Sequence, residues 1–154
     1  MQVKEAMKKD VIKVKRSTSL KNLLILFKDF HALPLIPVIA ENEQLVGVVS
    51  LDNLVEILKS QESKLFRNII FAEVDEDIFD LERVPSMGEL ILVDDMMSAN
   101  FISLKEDTPL EKAYSIMRLH NKDQLPVVDK ANKFLGIIGI FDIIWNMVKE
   151  KGIA

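Results

Sequence analysis

Two short passages carry the polar groups whose spacing invites chemistry: "GVVSLDN" at 47–53, with Ser50, Asp52 and Asn53, and "GIIGIFD" at 136–142, with Gly139 and Asp142. In each, an apolar run ends on a small or hydroxyl residue, and a carboxamide or carboxylate follows three places later. The chemistry open to these groups is hydrogen bonding. The same residue types cap helices at strand-to-helix junctions in any protein, so capping alone also accounts for Ser50, Asn53 and Asp142.

Catalytic constellations are missing from the sequence. There is no G-x-S-x-G, H-E-x-x-H, P-loop or G-x-G-x-x-G. His31 and His120 are the two histidines, and each falls at the end of an expected helix, where the dipole favours a basic group. The acidic run "EVDEDIFDLE" lacks the ligand spacing of a calcium loop. With no cysteine, disulfides and thiolate metal sites are excluded. A net charge of −4, a sequence pI near 5.3 and no basic stripe argue against nucleic acid as a partner. No apolar run reaches the roughly 18–20 residues needed to cross a bilayer. The opening "MQVKEAMKKD" lacks the apolar core of a signal peptide, so a cytoplasmic location is expected.

The two passages recur because the chain repeats itself. At an offset of 90, Val3 meets Val93, Met7 meets Met97, Ile12 meets Ile102 and Thr18 meets Thr108; at 89, Pro37 meets Pro126 and Gly47 meets Gly136. Each copy reads as a short strand ("VIKV" at 11–14, "FISL" at 101–104), then an amphipathic helix with apolar residues at helical spacing: Leu20, Leu23, Leu24 and Phe27, then Leu110, Ala113, Tyr114 and Met117. Thr108-Pro109-Leu110-Glu111 carries a full start signal, with Thr as N-cap, so the second copy's helix is expected to start better than the first, which has Lys21 at the last place. Two strands joined by the turns "ENEQ" and "KANK" follow, and then a final helix, near 51–60 and 143–149. Each copy is β-α-β-β-α, in an α/β fold whose copies pack sheet to sheet because neither can bury its apolar faces alone. The expected boundaries are 1–58 for the first copy, 59–92 for an insert and 93–154 for the second. The insert, with "KLFRNIIF" and the acidic run, is either a docking segment presenting Phe66, Ile69, Ile70 and Phe71 or a connection that packs its own apolar residues.

The order of "VKEAMKKDVIKV", "IPVIA" and "GVVSLDNL", echoed by "VDDMMSANFISL", "LPVVD" and "GIIGIFDI", resembles the CBS domain, and the tandem arrangement resembles a CBS pair, or Bateman module. The resemblance implies a non-catalytic regulatory module that binds adenosine-containing molecules (AMP, ADP, ATP or S-adenosylmethionine) in two pseudo-symmetric clefts between the copies. In such families G-h-h-[ST]-x-x-D supplies backbone and hydroxyl contacts near phosphate and an Asp to the ribose hydroxyls. Each copy here lacks one part: the first has Ser50 but Asn53 where the Asp would be, the second has Asp142 but Gly139 where the hydroxyl would be. By resemblance, cleft one would combine Ile137, Gly139 and Asp142 with Asp10, Ile12, Leu33 and Pro34. Cleft two would combine Val48, Ser50 and Asn53 with Asn100, Ile102, Lys122 and Asp123. Cleft one suits ribose better. The nearby cations by sequence are Lys8, Lys9, Lys13 and Lys122, and no Arg precedes either "xPV", so a ligand with few phosphates is expected. A homodimer forming a flat four-copy disc through the final helices is implied as well, with an unidentified regulated protein as partner. The alternatives are an unliganded scaffold whose final helices dimerise and an enzyme subunit with chemistry across a dimer interface.

Overall fold

The computed structural model describes residues 1–59 and 88–153. The docking face expected around Phe66 to Phe71 and the acidic run fall outside these residues. The first copy contains α1 (Val3–Ala6), α2 (Leu20–Leu26), β1 (Ile36–Ile39), β2 (Leu45–Val49) and α3 (Leu51–Leu58). The second contains α4 (Val93–Met96), β3 (Leu104–Lys105), α5 (Leu110–Leu119), β4 (Gln124–Val128), β5 (Phe134–Gly139) and α6 (Ile140–Glu150).

Each copy folds around an antiparallel hairpin. β1 runs against β2, with Pro37 opposite Val48, and β4 runs against β5, with Pro126 opposite Ile137. The hairpin turns need a left-handed residue, and it comes at equivalent places: Glu43 at φ 67° and Asn132 at φ 65°. The turns also join the copies. Leu45 N–H donates to the Asn132 carbonyl at 3.1 Å, Phe134 N–H donates to the Glu43 carbonyl at 3.0 Å, and Asn132 Nδ2 donates to the Leu45 carbonyl at 3.1 Å. Beneath them Ile39, Leu45, Val128, Phe134 and Ile137 form one apolar cluster drawn from both sheets. This is the sheet-to-sheet packing that the sequence requires.

The first strand of each copy is shorter than its apolar pattern. Over 11–14 only Val14 pairs, in a parallel bridge to Val38, and in the second copy the parallel pairing covers Leu104 and Lys105 rather than 101–104. Val11 and Phe101 instead pack against the cluster between the copies, so their apolar side chains serve the interface and not a ladder.

The entry segments exchange copies. α1 packs Val3 and Ala6 into the core of the second copy, with Leu110, Met117, Ile138 and Ile143, while α4 packs Val93 and Met96 into the core of the first, with Leu20, Leu23, Val38 and Val49. Main-chain bonds fix the exchange: Val3 N–H donates to the Thr108 carbonyl at 2.8 Å, and Val93 N–H to the Thr18 carbonyl at 2.7 Å. The exchanged chain then pairs along the facing strand, Lys8 with Ile137 and Ser98 with Val48. Close approach there needs glycine: a Cβ on Gly136 would sit 2.6 Å from the Lys8 carbonyl oxygen, and one on Gly47 would sit 2.6 Å from Met97 Sδ.

The exchange also corrects the expectation for helix starts. Residues 108–109 sit beside the incoming segment, with Pro109 bridged to Gln2, and α5 begins without a side-chain cap. α2 is the capped helix, since Asn22 N–H donates to Ser19 Oγ at 3.1 Å. The second copy's helix therefore does not start better than the first. His120 is the C-cap of α5, while His31 lies exposed four residues beyond the C-cap of α2, Phe27.

Candidate functional site

The strand-to-helix passages place their polar groups by local bonding. In the second copy β5 ends at Gly139, and Asp142, on the first turn of α6, reaches back so that its Oδ2 accepts from Gly139 N–H at 2.9 Å. An acid at this position suits a helix N-terminus by charge as well as by hydrogen bonding. The other oxygen, Oδ1, lies 3.8 Å from Lys8 Nζ, which arrives on the exchanged entry segment. The Asp142 side chain is 19% exposed and Lys8 is 72% exposed, so the carboxylate is held while its cation is loosely held in solvent.

The first copy closes the same corner with neutral groups. Ser50 N–H and Ser50 Oγ both donate to Asn53 Oδ1, at 2.8 and 3.0 Å, and Asn53 Nδ2 donates to Ser98 Oγ at 3.1 Å. Ser98 is the counterpart of Lys8 in the repeat. Asn53 is thus engaged through both ends of its amide, in bonds that cap α3 and tie it to the other copy's entry segment.

A cavity of about 620 Å³ opens beside Asp142. It is lined from the first copy by Lys8, Asp10, Val11, Ile12, Phe27, Phe30, Pro34 and Leu35, and from the second by Asp123, Gln124, Ile137, Gly139, Ile140, Phe141 and Asp142. Asp10, Ile12, Pro34, Ile137, Gly139 and Asp142, grouped by the sequence as cleft one, are brought together on its walls. Leu33 is half-buried against the first copy's core. Asp123, grouped by the sequence with cleft two, lies on the wall of this cavity, where its carbonyl accepts from Ile140 N–H at 2.9 Å. The sequence reading missed Phe27 as a lining residue, because its helical spacing marked it only as core, and missed Phe30, Phe141 and Gln124. Gln124 Oε1 accepts from Leu35 N–H at 3.2 Å and so holds the two hairpin starts together.

The residues grouped as cleft two are arranged differently. Val48 exchanges main-chain bonds with Ser98, Ser50 and Asn53 are bonded to each other, and Ile102 packs on the second copy's core. Asn100 and Lys122 are exposed. Among the described residues no cluster of His, Asp and Glu is arranged to hold a metal ion, and no helix is long and apolar enough to cross a membrane.

The two halves match a known family: the family model for the CBS domain fits residues 3–60 and again 93–149. The chain belongs to the CBS-domain family. It is a tandem CBS pair, or Bateman module. The chloroplastic CBS domain-containing protein CBSX1 of Arabidopsis thaliana is 32% identical over 134 residues, which make up 85% of this chain and 56% of that protein. The chain spans 13% to 56% of the length of the curated relatives it matches. Among solved structures, CBSX2 in complex with AMP superposes with a TM-score of 0.71 at 24% identity, covering 97% of this chain and 98% of that one. The CBS domain pair of protein MJ0100, in complex with 5′-methylthioadenosine and S-adenosyl-L-methionine, gives a TM-score of 0.66 at 19% identity, covering 96% and 99%.

Proposed function

We propose that this CBS pair is a non-catalytic regulatory module that binds an adenosine-containing ligand in the cavity beside Asp142, and that the bound state is read by a partner protein. The observation that carries the reading is the cavity itself: about 620 Å³, walled by both copies, with a carboxylate and aromatic side chains on its lining. A ribose diol would donate to the Asp142 carboxylate in charge-assisted bonds. The adenine would find apolar cover among Ile12, Ile137 and Phe27. Since the lining belongs to two copies that meet at their hairpin turns, an occupied cavity changes how the copies pack, and this change is the signal.

The corner at Ser50 and Asn53 contributes less in this reading, because the amide is already engaged in capping. Assembly is a homodimer. α6 leaves Ile144 and Trp145 about half exposed, at 45% and 48%, and Ile144 also lines, with Tyr114, Met147, Val148, Lys151 and Ile153, a largely apolar groove of about 290 Å³. Burying such surface in a second copy is the simplest way to remove it from water.

One observation favours the alternative, an unliganded scaffold: Asp142 also serves as the cap of α6 through Gly139 N–H. Melting curves of the full chain with adenosine, AMP, ATP and S-adenosylmethionine separate the two. A saturable rise in melting temperature that follows mass action supports binding, and no rise with any of them supports the scaffold.

A further inference from the structure

We infer that the cavity beside Asp142 selects adenosine ligands that carry a positive charge on the 5′ arm over those that carry phosphate there. The inference rests on the adenosine reading above and adds the charge class of the ligand. Three acidic residues, Asp10, Asp123 and Asp142, line the cavity against a single basic one, Lys8. The Lys8 ammonium is mostly in water and already lies 3.8 Å from Asp142 Oδ1, so it is poorly placed to neutralise anything else. Of the other lysines that the sequence offered for phosphate, Lys13 is turned to the hairpin, 3.5 Å from Glu43 Oε2 and 6.0 Å from the centre of the Phe134 ring. Lys9 and Lys122 are exposed and are not part of the lining.

An excess of acidic residues repels each added phosphate charge and attracts a sulfonium or ammonium, and because Asp10 and Asp123 are exposed the effect is screened as salt rises. Phe30 and Phe141 stand at the cavity with exposed rings, 47% and 75%, and aromatic faces attract cations and repel phosphate oxygens. The ligand class that fits is a nucleoside bearing a cationic sulfur or amino group, with S-adenosylmethionine as its probe.

Calorimetric titration of the full chain with S-adenosylmethionine, S-adenosylhomocysteine, 5′-methylthioadenosine, AMP and ATP tests this. S-adenosylhomocysteine matches S-adenosylmethionine except for the methyl group that makes the sulfur cationic. The expected order is S-adenosylmethionine at least about fivefold tighter than S-adenosylhomocysteine, as one unit charge near two others predicts, followed by AMP and then ATP. Raising the salt from low to near-physiological strength should weaken S-adenosylmethionine and strengthen AMP. The double variant Asp10→Asn/Asp123→Asn, which changes two exposed side chains and so should leave the melting temperature unchanged, should narrow the gap between the two from both sides. AMP or ATP binding as tightly as S-adenosylmethionine, or a gap unmoved by the double variant, would overturn the charge selection and leave the adenosine reading standing. Binding by none of these compounds overturns the adenosine reading itself, and the selection with it.

Discussion

Asp142 and Lys8 meet across the two copies, Oδ1 to Nζ at 3.8 Å, where the repeat-related pair in the other half, Asn53 and Ser98, is joined by a neutral hydrogen bond of 3.1 Å. The same corner of a duplicated fold is thus charged and open on one side and neutral and closed on the other. The charged corner is the one beside the large cavity.

Asp142→Asn should separate ligand binding from capping. The amide keeps an oxygen to accept from Gly139 N–H but loses the charge, so that bonds to a diol fall from roughly 1.5–3 kcal/mol each to about 0.5–1.5. The expected outcome is at least a tenfold loss of affinity in a calorimetric titration, with the melting temperature nearly held. Asp142→Ala should lose the affinity and also about 1 kcal/mol of stability, the usual worth of a helix cap.

Asn53→Ala should behave in the opposite way. It removes the acceptor of two Ser50 bonds and the donor to Ser98, leaving partly buried groups unpaired at about 1–3 kcal/mol. Denaturant unfolding should report that loss, while ligand affinity falls severalfold at most. Ser98→Ala should reproduce only part of the loss, since it breaks only the side-chain bond from Asn53 Nδ2.

Glycine substitution should rank the two exchanged segments. Gly136→Ala places a methyl against the Lys8 carbonyl, which is main chain and cannot swing away, whereas Gly47→Ala meets first the sulfur of Met97, the flexible end of a side chain. We expect Gly136→Ala to cost about 1–3 kcal/mol, as overpacking does, and Gly47→Ala less. Equal losses in chemical denaturation would mean that the two entry segments dock with equal freedom.

Glu43 holds a left-handed backbone that its side chain disfavours, and its counterpart Asn132 holds the same conformation with a residue suited to it. Glu43→Asn should therefore stabilise the chain by about 0.5–1 kcal/mol, read as a higher melting temperature. The lost ion pair with Lys13 is surface-exposed and should offset little of this.

Much of this architecture could be read from the residues because its signals are short-range. The hairpins follow from Pro37 and Pro126 at strand starts and from "ENEQ" and "KANK" as turns, and the copies follow from Val3 with Val93 and Gly47 with Gly136. The exchange of α1 and α4 was not legible. Four residues give too little helical period to register, and which core receives Val3 or Val93 is decided by packing against residues far off in sequence. The same long-range event misled the reading of Thr108, whose carbonyl receives the incoming Val3 N–H. At the cavity, Asp10, Ile12, Pro34 and Asp142 were legible through the family resemblance. Phe30 and Phe141 were not, since an exposed aromatic beside a cavity has no pattern in sequence that sets it apart from one on open surface.

The central claim, that the cavity beside Asp142 takes an adenosine compound, is tested most directly by calorimetric titration of S-adenosylmethionine and AMP into the wild-type chain and into Asp142→Asn. The account predicts saturable heat in the wild type with at least one of the two, and at least a tenfold loss in a variant that melts within a degree or two of it. Wild-type heat that Asp142→Asn leaves unchanged, or no heat from either compound at millimolar concentration, would contradict it.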